Sequence, residues 1–242
     1  MPDSTKAPLV WDAVGSRFYE NGVDHCALYI QNSEGKYPSG VAWNGITTVT
    51  ESPDGAEPTD LYADNIKYAT LRSAETFGGT IEAYTYPDEF GACDGTATPD
   101  GLDGVYVGQQ KRAAFGLAYR TQIGNDTATE DDDGYKLHLV YGATASPSEK
   151  SYESINDSPD AISFSWEFTT TPVGVAGMKP TSTLIIDSTK TDKKALAAIE
   201  KVLFGSSEAA ARLPLPDEVI SIMKAGITAN SDASSQKGPS TL

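Results

Sequence analysis

Carboxylates are the most abundant reactive groups in this 242-residue chain, 34 of them against 18 lysines and arginines. A glycosidase needs two such groups facing each other across a sugar, and Glu75 with Glu82, or Asp88 with Glu89, could be imagined in that role. Pairs of this kind arise by chance in any chain so rich in acids. The run Glu130–Asp133 could attract calcium, an ion that wants several oxygen ligands. It lacks the spaced Asp-x-Asp-x-Asp-Gly arrangement and reads as a solvated turn. His25 and His138 fall within strand-like stretches, where a lone imidazole is usually a surface or satisfied core group. Cys26 and Cys93 allow one disulfide by arithmetic but make no CxxC or Cys/His cluster. Cys26, inside VDHCALYI, reads as a small hydrophobe, and a reduced protein is the simpler reading. There is no GxSxG elbow, HExxH helix, phosphate-cradling loop or GxGxxG turn. The residues predict no catalytic site, no metal and no cofactor.

The elements that would position these groups are mostly strands. Alternation runs through Phe115–Ile123, Tyr135–Tyr141 and Ile162–Phe168, each with an apolar row opposed by polar or small residues. Such rows predict antiparallel strands with one core face. Val23–Ile30, Thr80–Tyr86 and Thr183–Asp187 are further candidates. One helix is expected over 191–205, capped by Thr191 or Asp192 and stopped at Gly205. After it, 206–226 reads as an extended segment with a short helix from Asp217 through Met223, and 227–242 as a flexible tail. The stretch 43–67, rich in Thr, Pro, Asp and Gly, is too long for an ordinary hairpin loop and is expected to be functional or mobile.

The net charge is −16, and it is unevenly placed: residues 1–100 hold sixteen acids and five bases. That balance argues against gripping nucleic acid, because phosphate binding is lysine and arginine chemistry. No apolar run approaches the ~18 residues of a membrane-spanning helix, and the first residues do not read as a signal peptide. From the residues alone the chain is an acidic, antiparallel β protein that is not an enzyme.

Several segments, taken in order, resemble the major tail (tail tube) proteins of long non-contractile-tailed bacteriophages. They are YTYPDEFGACDG (84–95), FGLAYRTQIGND (115–126), DGYKLHLVYGATASPSEKSYESINDSP (133–159), ISFSWEFTTTPV (162–173), MKPTSTLIIDS (178–188) and RLPLPDEV (212–219). The match rests on their order and spacing from Tyr84 to Val219; the first eighty residues fit in length and position.

The resemblance implies a mainly β, antiparallel sandwich or barrel-like tail tube domain over 1–226, with one flanking α-helix and a long inter-ring loop. It implies hexameric rings stacked around a tape-measure protein, capped by distal tail and terminator proteins, and a lumen through which double-stranded DNA passes without tight binding. Such a protein belongs to the virion tail and assembles in the host cytoplasm, with no membrane partner. Another phage tail or capsid-decoration β-module is the alternative. The stretch 43–67 is then the candidate for the long loop or hairpin that reaches an adjacent ring, with Trp43, Leu61, Tyr62 and Ile66 as apolar anchors. Excising Gly45–Pro58 is expected to stop tube growth and spare the fold. Val10, Trp11 and Phe18, and Leu213, Leu215 and Ile220 near the C-terminus, are candidates for contacts between subunits. Part of the acidic surplus of residues 1–100 is expected to line the lumen, where it would keep DNA from sticking.

Overall fold

Alternating apolar rows and turn-forming breaks fold this chain into strands, as the computed structural model describes for residues 9–55, 57–127, 134–155 and 161–235, with side chains as far as 228. The strands are β1 (Phe18–Ile30), β2 (Gly40–Ala42), β3 (Ile46–Glu51), β4 (Asp54–Gly55), β5 (Pro58–Ala63), β6 (Ile66–Arg72), β7 (Glu75–Thr76), β8 (Gly78–Ala83), β9 (Phe115–Asn125), β10 (Tyr135–Ala145), β11 (Phe164–Thr170) and β12 (Thr183–Asp187). Between β8 and β9 a single 3₁₀ turn leads into α1 (Gly91–Asp94), and the chain closes with α2 (Lys193–Phe204) and α3 (Pro216–Ser235). The six expected strand stretches are all present, Thr183–Asp187 to the residue and the others displaced at one or both ends by a few residues.

The main sheet is antiparallel in the order β2-β1-β9-β10-β11-β8-β3, with β12 on the free side of the first half of β10. It curls around one core. Leu28 of β1, Ile81 of β8, Leu117 of β9, Val140 of β10 and Trp166 of β11 meet there, with Phe90 plugging one end. Trp43 and Trp166 meet edge to face at 5.7 Å, and both lie against Phe90. Rings at these offsets add to the burial of their area. The curl does not close into a barrel, so the architecture is an antiparallel, barrel-like sandwich.

The second face of the sheet is not the small or polar surface that alternation suggests. Leu137, Leu139 and Tyr141 point there and pack beneath Leu196, Ile199 and Leu203 of α2. Gly142 accounts for the sharing of β10 between two cores. At φ +62 it hosts a bulge where a Cβ would stand 2.3 Å from the Thr171 carbonyl. The extra residue shifts the alternation, so Ala143 and Ala145 rejoin Val140 in the first core.

The flanking layer holds α2 and, where a short helix was expected from Asp217, the longer α3. In α2 the Asp192 carboxylate accepts from the N–H groups of Lys194 and Ala195, as an N-cap should. Pro216 opens α3, where its missing N–H costs nothing. Arg212 then clamps Glu218 through both guanidinium nitrogens, at 2.9 and 2.5 Å. The two helices touch at Gly226, where a Cβ would lie 2.6 Å from the Ala195 Cα. The helix continues to Ser235, so the segment expected to be a flexible tail from 227 begins as helix. Small and polar residues past Met223 hide that continuation from a reading based on apolar spacing.

Candidate assembly surfaces

The stretch 43–67 is no loop. Its first residue, Trp43, is 2% exposed in the curled core and donates its indole N–H to the Thr85 carbonyl at 2.9 Å. β3 follows as a sheet strand, carrying Ile46 and Val49 inward. Trp43 is therefore a core residue and cannot be an anchor for another subunit. Trp43→Ala is expected to cost about 3–5 kcal/mol of folding stability, the usual range for emptying a core tryptophan site. Thermal or urea unfolding of the purified chain measures it, and an unchanged midpoint would contradict the assignment.

Beyond Glu51 the chain leaves the body as an arm. Partners on its two sides keep one register through three successive ladders, Glu51↔Gly79, Asp54↔Thr76 and Pro58↔Arg72. One antiparallel ribbon thus runs out from β3 and β8 to a two-residue tip, Asp64-Asn65, both at positive φ as a type I′ turn demands. At about 3.3 Å per residue, Ser52 to Ala63 spans roughly 40 Å.

One irregularity sorts the arm's side chains. Leu61 pairs with Ala69 and Tyr62 with Lys67, so Tyr68 is an extra, bulged residue. Counting around it puts Leu61, Ala63, Ile66, Ala69 and Leu71 on one face. The other face holds Asp60, Tyr62, Lys67, Thr70 and Arg72, and there Asp60 meets the Lys67 ammonium and the Thr70 hydroxyl, both at 2.8 Å. These contacts, Lys67 first, hold the Asp60 carboxyl below its usual range. A ribbon of two strands is marginal in water by itself, and this one turns its apolar face outward. Of the proposed anchors Leu61 and Ile66 are exposed on the apolar face and Tyr62 on the polar face, and Leu71 lies outside the predicted boundaries.

A second kind of opening lies in the sheet. Around the first half of β10 its order is β1, β9, β10, β12, four strands only. β2 covers β1 from Ala27 to Tyr29, and among the described residues no strand lies beside the edge of Phe18–Val23. At the opposite edge, Ser182 and Ser188 exchange bonds with Tyr141 and Tyr135 of β10, at 2.9 and 3.0 Å. Even-numbered β12 residues therefore face β10, and Ile185 turns its N–H and C=O outward. Unpaired edges of this kind attract another strand. The α2 side of this patch is covered; its other face carries Phe18, Glu20, Thr121, Lys136, Ile185 and Asp187.

The N-terminal candidates lie next to the first edge. Gly15 and Arg17 are tied to Asp126, and Asn125 donates to the Gly15 carbonyl, which leaves Val10, Trp11 and Phe18 exposed. Trp11 is 75% exposed. The C-terminal candidates divide differently. Leu213 is buried against α2 and the sheet and belongs to the subunit's own core, whereas Leu215 and Ile220 are half-buried beside it.

The imagined glycosidase pair of Glu75 and Glu82 does not assemble. Glu75 and Glu82 lie seven residues apart along one extended run, roughly 23 Å, far beyond the ~5–9.5 Å of a glycosidase pair. Cys26 and Cys93 are free and buried, and burial pushes both thiols up to about 12. The run Glu130–Asp133 lies outside the described residues, and among those described no group of three His, Cys, Asp or Glu side chains could hold an ion. No helix among them is long and apolar enough to cross a membrane.

Comparison with known families matches residues 14–205 to the phage tail tube protein family, about four-fifths of the chain. A comparison with curated proteins gives no match. The matched range takes in the arm, both open edges, the whole sheet and α2, and stops before α3.

Proposed function

The chain belongs to the phage tail tube protein family, a structural component of the virion tail, and on that premise we propose that it polymerises as stacked hexameric rings. The observation that supports this most is the pair of open edges on one four-stranded patch. In this reading β12 of one subunit pairs with the Phe18–Val23 half of β1 in the next. The interface is heterologous, and a ring is its closed form. Closure pairs both edges of the patch, which a free subunit cannot do.

The dimensions agree with a conduit. Six four-stranded patches at about 4.8 Å per strand close a wall roughly 37 Å across between backbones, before tilt widens it. A side-chain layer of about 5 Å on each side leaves roughly 27 Å, wide enough for a DNA duplex ~20 Å across. The face free of helices would then line the lumen. Its charges nearly balance: Glu20 is bonded to Lys136, and Asp187 to Lys190. Five of the sixteen carboxylates in the first hundred residues lie on or beside the arm instead: Asp54, Glu57, Asp60, Asp64 and Glu75. The expected acidic lining thus reduces, from that part of the chain, mainly to Glu20. A balanced wall still lacks the surplus of lysine and arginine that would hold phosphates.

The arm serves axial growth in this proposal, laying its apolar face on the neighbouring ring, with Trp11 and Phe18 contributing contacts beside the seam. A tape-measure protein fills the lumen during assembly in the host cytoplasm, distal tail and terminator proteins close the two ends, and DNA follows the lumen at ejection. Negative-stain microscopy of the purified protein over a concentration series tests the reading. Rings and tubes are expected; monomers or trimers that persist at high concentration would overturn it and favour a decoration or other tail module.

A further inference from the structure

The arm's root holds a group of side chains that the sheet alone does not require. Glu51 is the last residue of β3, and β3 stands at one end of the sheet, separated from β9 and β10 by β11 and β8. Its side chain nevertheless reaches across the open side of the curl. The Tyr119 hydroxyl of β9 donates to Glu51 Oε1 at 2.5 Å, and His138 Nδ1 of β10 stands 3.3 Å from the same oxygen. The two rings stack face to face, centroids 4.8 Å apart and 5° from parallel. Behind them the His138 Nε2 meets the Thr121 hydroxyl at 3.0 Å, and that hydroxyl meets the Glu20 carboxylate at 3.2 Å. Both rings are more than nine-tenths buried, so neither can shift without moving the sheet.

Past Glu51 the outgoing strand is carried by the bond from Ser52 N–H to the Gly78 carbonyl and by the two-residue ladder of β4 and β7, while the returning strand is held at Phe77, whose carbonyl accepts from the N–H and hydroxyl of Thr170 at 3.0 and 2.6 Å. A lever about 40 Å long magnifies any play at such a root. A rotation of about 10° displaces the tip by roughly 7 Å, more than one ~4.8 Å strand spacing. We propose that Glu51, Tyr119 and His138 form a clasp that sets the direction of the arm, with Glu51 as its positioning residue. The proposal rests on the arm's role in polymerisation but concerns a property of the single subunit.

The clasp also has a pH signature. His138, and after it the Tyr119 hydroxyl, hold the Glu51 carboxyl below its ordinary value of 4.5. A depressed carboxyl stabilises the clasp fully above that value and less as pH falls through the folded-state value. The titratable groups around it are Tyr119 and His138 themselves, Glu20 and Lys136 behind them, and Cys26 beneath Tyr119. Lys136 likewise holds Glu20 below its ordinary value, so both carboxylates are lost only as the pH falls.

The experiment measures the arm's direction and polymerisation separately. Spin labels on cysteines at Tyr62 and Lys190 report the distance between arm and body in dilute monomer, since Cys26 and Cys93 are buried from the label. A narrow distribution is expected in the parent at pH 7. Glu51→Ala is expected to widen it at least twofold and to raise the threshold concentration for tubes about tenfold, in line with the loss of one hydrogen bond to a charged group. If Glu51→Ala does not fold, Tyr119→Phe, which deletes only the hydroxyl, carries the same measurement. An unchanged distribution in the folded variant overturns the clasp. A parent that forms no tubes contradicts the functional reading instead, and the distance distribution still decides the clasp.

Discussion

Replacing Leu61, Ile66 and Leu71 together by serine is expected to raise the concentration needed for tube growth by roughly a hundredfold or more, while the melting temperature of the subunit stays within a few degrees. All three side chains share the arm's apolar face, and between 41% and 65% of each is still open to water in the free chain. Full burial of such a side chain is worth about 1.5–3 kcal/mol. Covering the exposed half therefore contributes about 1 kcal/mol each, or roughly 150-fold in affinity for the three. Subunit stability hardly changes, because none of the three belongs to either core. Sedimentation against concentration measures the threshold, and calorimetry the fold. Serine at Tyr62, Lys67 and Arg72 on the opposite face is the control and should leave growth near normal. Equal losses from both faces would mean that the apolar stripe is not the contact. Excision is a harsher version, and here the structure moves the cut. Removing Gly45–Pro58 would take β3 and its inward Ile46 and Val49, unfolding the body. Removing Glu57–Ser73 takes only the arm.

Much of the fold was legible because period-two alternation is a local property. Thr183–Asp187 is the expected strand to the residue, and β9 differs from expectation only by two residues at its end. Which face of each strand would be covered was not local. Ala118 read as part of a small or polar face, until α2 and α3 fold back over it from more than seventy residues further on. The arm shows the same limit. Thr, Pro, Asp and Gly at 43–67 suggested a loop, whereas the pairing that makes it a ribbon lies between 54 and 76 and depends on partners up to twenty-two residues apart. Asp64-Asn65 was the one local signal for that turn. Trp43 was misplaced because an aromatic residue beside a polar stretch suits a core or an interface equally well. The clasp was invisible for a plainer reason: Glu51, Tyr119 and His138 lie on three strands, and only the curl of the sheet brings them together.

Proline at Ile185 probes the ring seam through the backbone, and it is expected to abolish rings while leaving a folded monomer. Proline removes one N–H and is tolerated on an edge strand where that N–H faces away from the ladder. Ile185 meets this condition, because the bonds at Ser182 and Ser188 put the even residues of β12 toward β10. Its neighbour Thr183 is already spent outward on Thr181, whose hydroxyl accepts from the Thr183 N–H and donates to its carbonyl. Asp187 gives its carbonyl to Lys190 and Thr191. Ile185 is therefore the residue of β12 best placed to offer both backbone groups to a neighbouring strand. A ring repeats the lost bond at every seam, and an unsatisfied partner N–H or C=O buried there costs about 1–3 kcal/mol each time. Ile185→Thr separates backbone from side chain: it keeps the N–H and the strand preference, so it should still form rings. Circular dichroism and a melting curve establish that the proline variant folds, and microscopy counts rings in both. Rings from the proline variant at the parent's threshold would place the seam elsewhere than β12. Rings from neither variant would put the seam's energy in the isoleucine side chain rather than in the ladder.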